Sequence, residues 1–132
     1  MEVGTASGRV PSLERAGFTG GVLPSGCPTR VVLDHVTSRW GVLLLIALSE
    51  ESLRWGELRR VVEGISEKML AQTLRVLEGD GFVHREAQPT IPPRVDYSLT
   101  DRGRELADHL RPLLQWIAGH ADEIISGAAQ QG

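Results

Sequence analysis

Three polar side chains, Lys68, Gln72 and Arg75, share one face of a predicted helix. At about 100° per residue, Gln72 points away from the apolar positions of the same stretch, with Lys68 and Arg75 beside it. A glutamine amide can bond an adenine edge through both its donor and its acceptor, while lysine binds phosphate or guanine. This face therefore has the chemistry to read bases in a DNA major groove. The alternative is a solvated surface, which is the common role of a polar helix face.

The helix that would carry this face begins at Ser66, a residue type suited to an N-cap. Its apolar side is marked by three leucines at i, i+4 and i+7: Leu70, Leu74 and Leu77. Ser66 and the first backbone amides could also hold a phosphate. Met69 and Thr73 flank the polar face, where they either touch thymine methyl groups or belong to the core. Arg75 lies further along the helix, so we assign it to the DNA backbone.

A second helix is predicted directly before this one, over residues 56–62, with Leu58 and Val61 on its inner side. A tight turn follows at 63–65, where Gly64 supplies a left-handed or otherwise strained conformation. Two helices joined by a short glycine-containing turn form a helix-turn-helix motif. Many helical hairpins that bind nothing share this geometry, so the motif alone does not decide the function.

The chain then predicts a β-hairpin with a stiff loop. Residues 82–86 and 94–99 have strand character, and the second stretch alternates apolar and polar residues. Three prolines between 87 and 93 prevent regular pairing there. Arg85 and Arg94 flank this loop and are candidates for phosphate or minor-groove contacts, although Arg94 could instead pair with Asp96 or a helix carboxylate. A helix-turn-helix followed by such a hairpin is the order of a winged helix.

Helices are also predicted on both sides of this motif. Pro28 suits the first turn of a short amphipathic helix, and residues 40–48 predict an apolar helix for the middle of the core. Thr100 is placed as the cap of a long final helix, which Pro112 should kink. Its apolar stripe is long: Leu106, Leu110, Leu113, Ile117, Ala121 and Ile124. Such a stripe predicts a partner helix, most simply from a second copy, or a helix that folds back on its own domain.

Length and charge indicate a single globular domain of 132 residues with a formal net charge of −3. That charge argues mildly against a nucleic-acid partner. Between residues 54 and 104, however, there are nine Arg and Lys and eight Asp and Glu, so the acidic excess lies elsewhere.

The chain is predicted to have three parts. Residues 1–26 are rich in glycine and predict a flexible tail, residues 27–126 form the predicted folded domain, and residues 127–132 are expected to be a frayed end.

Several functional classes find no support in the sequence. No apolar run approaches the ~20 residues that span a bilayer, and no signal peptide is evident. The single cysteine fits a reducing cytosol, so we expect a cytoplasmic protein. The four histidines lack metal-ligand spacing, and no nucleophile motif, phosphate loop or paired carboxylates appear. We therefore expect no enzyme activity, no metal and no cofactor.

Six stretches together match a known pattern: Cys27-Pro28, the apolar helix containing Trp40, Leu53-Arg-Trp-Gly-Glu-Leu-Arg-Arg60, Gly64-Ile-Ser-Glu-Lys-Met-Leu70, Leu74 to Leu77 with Asp80-Gly81, and Pro92-Pro-Arg-Val-Asp-Tyr-Ser-Leu-Thr100 with Gly103. These stretches resemble the HxlR family of bacterial winged-helix transcription regulators, over residues 27 to about 116. Two positions depart from the family pattern. Trp55 replaces the usual phenylalanine, and Gly56 replaces an asparagine, so no role is transferred to Gly56.

The resemblance implies a homodimer with contacts from the terminal helices, which binds an operator near a promoter, often as a repressor that responds to oxidants or electrophiles. It favours a sensing role for Cys27, since relatives with this cysteine can form intersubunit disulfides or be alkylated. A helix N-terminus also favours the reactive thiolate. The alternative for Cys27 is a small buried residue at a helix start.

The sequence thus predicts a mainly α protein with a small β-hairpin (α+β), a homodimeric winged helix-turn-helix. Its predicted partner is a pseudo-palindromic double-stranded DNA operator, with oxidant or electrophile acting on Cys27 to release it. Two alternatives stay open: a winged-helix module for protein–protein interaction, and a regulator that senses a small ligand with an inert Cys27.

Overall fold

The computed structural model describes residues 26–131, and of residues 128–131 only the backbone. The predicted tail over 1–26 therefore lies outside the described residues, apart from Gly26. The chain divides into two units at Ser38, and the described part of the first unit is residues 26–38. This unit holds helix α1, Pro28–Val36, which confirms the predicted amphipathic helix.

The second unit contains four helices and three strands in this order: α2 (Arg39–Glu50), β1 (Leu53–Arg54), α3 (Trp55–Val61), α4 (Glu67–Gly79), β2 (Val83–Gln88), β3 (Arg94–Leu99) and α5 (Asp101–Gln131). As predicted, α2 is the central helix: it packs against α4, α5 and β3, and Leu44 and Leu45 are fully buried. Two short helices followed by an antiparallel hairpin give the predicted order of a winged helix.

The hairpin belongs to a three-stranded antiparallel sheet with the order β1-β3-β2. Strand β2 extends to Gln88, two residues beyond its predicted end, so the loop is confined to residues 89–93. Gln88 pairs with Arg94 in the ladder, and its side-chain amide donates to Asp96 Oδ2 at 3.1 Å. Pairing continues to Gln88 because the prolines, which cannot donate to the ladder, begin only at residue 89.

The predicted inward position of Val61 is wrong. Leu58 is fully buried, but the side chain of Val61 is 58% exposed, and the neighbouring Val62 is buried instead. Helix α3 ends at Val61, and Val62 has a non-helical backbone (φ −98°, ψ 86°). The helical period therefore stops applying at this point, and the chain turns Val62 into the core.

Helix α5 begins as predicted at Thr100, whose hydroxyl accepts from Gly103 N at 3.0 Å and donates to Gly81 O at 2.5 Å. The helix continues through Pro112 and past the predicted fraying point at residue 126, up to Gln131. No single helix within residues 26–131 is long and apolar enough to cross a membrane; α1 and α2 meet that test only when counted as a pair.

Only the first half of the α5 stripe is covered. Leu110 is buried at 7% exposure, whereas three later side chains of the stripe are exposed: Leu113, Ile117 and Ile124. Trp116 and Ile125, beside the stripe, are exposed as well. The second half of the stripe is therefore not covered by the other elements of residues 39–131. Trp116 also stacks on His120, with ring centroids 4.2 Å apart, along this same helix.

Candidate nucleic-acid interface

The turn before α4 and its first residues have the predicted local geometry. Gly64 adopts φ +93°, which a residue with a side chain rarely adopts. Ser66 is the N-cap, and its hydroxyl accepts a hydrogen bond from Met69 N at 3.1 Å. These two features end the turn before α4 and set the direction of this helix. The direction of the helix in turn determines which of its side chains are exposed.

Lys68, Gln72 and Arg75 are exposed on one face of α4 and, with Val76, line an open groove of about 410 Å³ (the α4 groove). The structure thus brings together the three residues that the helical period placed on one face. Within residues 26–131, none of these three side chains takes part in an ion pair or a side-chain hydrogen bond. Two cations and one amide are therefore free to meet an external ligand.

The two flanking residues differ in accessibility. Thr73 is buried, with 8% of its surface exposed, so it packs with the core leucines and is removed from the set of candidate base contacts. Met69 is half-buried at the edge of the exposed face. The helical period placed both residues on the flank. In the structure Thr73 lies on the buried side of α4, together with Leu70, Leu74 and Leu77.

The two wing arginines lie in different environments. Arg94 is at the loop end of β3, where its Nε donates to Asp96 Oδ1 at 3.1 Å, so the ion pair considered as its alternative role is present. Arg85 lies further back on β2, opposite Tyr97 in the ladder. Its exposed side chain has no ion-pair partner within residues 26–131. The guanidinium of Arg85 is therefore the more available of the two.

A family model described as HxlR-like helix-turn-helix matches residues 35–125, most of the chain and all of the elements from α2 to β3. The chain belongs to this HxlR-like family. It is 49% identical over 107 residues to the uncharacterized HTH-type transcriptional regulator YtfH of Escherichia coli K12, covering 81% of this chain and 85% of that one. This HxlR-type protein is accordingly a transcription regulator of the helix-turn-helix class.

Solved structures agree with this assignment. The fold is similar to that of the transcriptional regulator ytfH from Salmonella typhimurium, with a TM-score of 0.76 and 46% identity over 80% of this chain and 95% of that one. It is also similar to the redox regulator HypR in its oxidized form, with a TM-score of 0.65 and 36% identity over 70% of this chain and 96% of that one.

The HxlR-type regulator has further basic residues at α3, outside the site predicted from the sequence. Arg54, Gly56, Glu57 and Arg60 line a shallow depression of about 280 Å³. Glu57 accepts from Arg54 N at 2.8 Å, and this backbone hydrogen bond holds the pKa of the Glu57 carboxyl below its ordinary value. Arg60 is exposed, and its positive charge also contributes to the lowered pKa of Glu57. In the sequence, Arg60 could have been recognised as a candidate because it directly follows Arg59 on a short surface helix.

Cys27 is the N-cap of α1 and is half-buried. Its Sγ accepts a hydrogen bond from Arg30 N at 3.4 Å, so the sulfur caps the first turn of the helix. Within the described residues, no group of three or more His, Cys, Asp or Glu side chains has the arrangement of a metal site.

Proposed function

We propose that this regulator binds a double-stranded DNA operator with α4 in the major groove. The observation that carries the proposal is the α4 groove, because Lys68, Gln72 and Arg75 are exposed there without internal partners. In the bound state Gln72 bonds an adenine edge, Lys68 contacts a phosphate or guanine, and Arg75 contacts the backbone. The helix N-terminus at Ser66 and the wing residue Arg85 add phosphate contacts.

The proposed binding form is a homodimer. The exposed apolar side chains on the second half of α5 would lose their contact with water if a second copy paired along this helix. A two-fold dimer presents two α4 helices, and these would read half-sites about one helical turn apart, roughly 34 Å, in a pseudo-palindromic operator. As the family resemblance implies, we assign the operator to a promoter region and the outcome to repression.

Cys27 is the proposed site of release by an oxidant or electrophile. The similarity to HypR, a redox regulator, and the position of Sγ at the start of α1 support this role. Since no second cysteine exists in the chain, a disulfide joins either the Cys27 residues of two subunits or Cys27 and a small thiol. In forming the disulfide, the two thiols lose two protons and two electrons. When the oxidant is diamide, it accepts both and is reduced to its hydrazine form.

Footprinting of the DNA upstream of the regulator's own gene tests the proposal. We expect a protected palindromic site, with affinity that falls steeply with salt. Diamide should abolish protection by the wild type and leave protection by Cys27→Ser intact. Protection that survives diamide and quinones in the wild type removes the sensing role, which leaves a regulator with an inert Cys27. If no DNA is bound at all, the α4 groove would instead be assigned to a protein partner.

A further inference from the structure

Helix α4 borders a second depression, on the side that faces the sheet. It has a volume of about 340 Å³, and we name it the wing pocket after its lining residues: Trp55, Ala71, Leu74, Arg75, Glu78, Arg85 and Tyr97. We propose that the wing pocket binds a small planar aromatic carboxylate and that the bound ligand lowers the affinity for DNA. The second half of this proposal rests on the proposed DNA binding, whereas the first half does not.

The charges at the wing pocket suit a monoanion. Arg75 and Arg85 both line it, and within residues 26–131 neither guanidinium forms an ion pair, even with Glu78 in the same wall. Four other arginines of the described chain are each paired with a carboxylate: Arg54, Arg59, Arg94 and Arg111. Two guanidiniums against one carboxylate leave a formal charge of +1, which a single carboxylate group neutralises.

The remaining walls suit a flat ring. Tyr97 and Leu74 are buried and present apolar surface, while Trp55 is half-buried and contributes an indole. Planar rings stack on aromatic side chains and on guanidinium planes, so both wall types favour the same ligand shape. The volume lies at the lower end of the range for ligand pockets, about 300–1,000 Å³, which fits one or two fused rings.

Arg75 couples the wing pocket to DNA because it lines the α4 groove as well. A carboxylate that engages this guanidinium makes it unavailable to a phosphate, and the same holds for Arg85 if the wing contacts DNA. Ligand and DNA therefore compete for the same charges. By linkage, bound DNA lowers the affinity for the carboxylate by the same factor.

The test begins without DNA. The full-length wild type is titrated with 1-naphthoate, with its uncharged isostere 1-naphthamide and with inorganic phosphate in a calorimeter. We expect saturable naphthoate binding, at least about ten-fold weaker binding of the amide, and a rise of about ten-fold or more in Kd for Arg85→Ala. Arg104→Ala, a matched loss of an exposed arginine outside the pocket, should bind naphthoate like the wild type.

Each result separates the two proposals. Absence of naphthoate binding, or equal binding by Arg85→Ala and wild type, overturns the wing pocket even when the operator is protected. Phosphate that binds as tightly as naphthoate overturns the aromatic class and leaves a simple anion site. If naphthoate binds as expected but no DNA is bound, the pocket stands and the DNA-binding proposal fails. If the protein binds both naphthoate and DNA, saturating naphthoate should lower the affinity for DNA and reduce the salt dependence of that affinity. DNA binding that naphthoate does not change would overturn the proposed coupling between the wing pocket and DNA.

Discussion

Arg59 of α3 and Glu67 in the first turn of α4 form an ion pair, with 3.4 Å between Nη1 and Oε2. The pair spans the turn of the helix-turn-helix motif. Because both side chains are largely exposed, 44% and 68%, solvent screening limits its contribution to stability to roughly 0–1 kcal/mol. Its larger effect is electrostatic. Glu67 neutralises the positive charge of Arg59 close to the N-terminal end of α4, and we propose that this end enters the major groove.

Replacing Glu67 with Gln should therefore strengthen DNA binding on all sequences. The change removes a negative charge near the phosphates and frees Arg59, which should add about one unit to the salt slope of affinity. Fluorescence anisotropy over a salt series, on the operator and on an unrelated duplex, measures both effects. The melting temperature should change little. An unaltered slope would mean that this end of α4 does not approach the phosphates.

Gln72→Ala should relax base choice at one operator position in each half-site, at a cost of about 1–3 kcal/mol on the preferred base. The reason is the loss of a paired donor and acceptor from the exposed α4 face. Binding to operators with each base at each position measures the effect. Gln115→Ala is the matched control, since this exposed glutamine on α5 lies opposite the apolar stripe. If Gln72→Ala weakens all sequences equally, the residue positions the helix and reads no base.

The two wing arginines should respond unequally to truncation. Arg85→Ala should lower the salt slope by about one unit, because the Arg85 guanidinium has no ion-pair partner within the described residues. Arg94→Ala should lower it by less, because Asp96 already offsets the charge of Arg94 at 3.1 Å. Asp96→Asn in turn should increase the slope. Equal slopes for Arg85→Ala and the wild type would exclude Arg85 from phosphate contact.

The features that were predictable from the sequence depend on local chemistry. Ser66 and Thr100 were assigned as caps because a hydroxyl bonds an amide only three residues away. The left-handed turn at Gly64 is equally local. The exposed face with Lys68 and Gln72 followed from the helical period, because an amphipathic helix in a small domain has one side that packs and one that does not.

The features that were missed depend on contacts distant in sequence. A very short strand at residues 53–55 was a possible interpretation of the sequence, but the pairing of β1 with β3 becomes visible only in the sheet. Whether Val61 or Val62 faces inward depends on where α3 ends, and the burial of Thr73 depends on what packs beside α4. The sequence left open whether Arg94 pairs with Asp96 and gave no information on the surroundings of Arg85. Only the folded sheet shows that Arg94 is paired and that Arg85 borders a pocket beside α4.

Gly103→Ala should destabilise the fold. A Cβ at this position would collide with the carbonyl oxygen of Phe82, a backbone atom that cannot move without disturbing the turn before β2. We expect a net loss of about 1–3 kcal/mol in the free energy of unfolding, even though alanine is the better helix former. Gly119→Ala on the same helix has open space around its Cβ and should gain up to about 1 kcal/mol. Urea unfolding of the two variants measures the difference, and equal stabilities would contradict the predicted collision.

The exposed stripe of α5 predicts the effect of a charge on self-association. Ile117 is 42% exposed in the middle of that stripe, so Ile117→Asp would bury an unpaired carboxylate in the proposed dimer while leaving the core of the subunit intact. Sedimentation equilibrium should show a shift from dimer to monomer, with a parallel loss of operator binding. Gln115→Asp introduces the same side chain on the opposite face of the helix and should remain dimeric. A dimer that survives Ile117→Asp would show that the subunits associate through another surface, and the exposed half of α5 would then require a different partner.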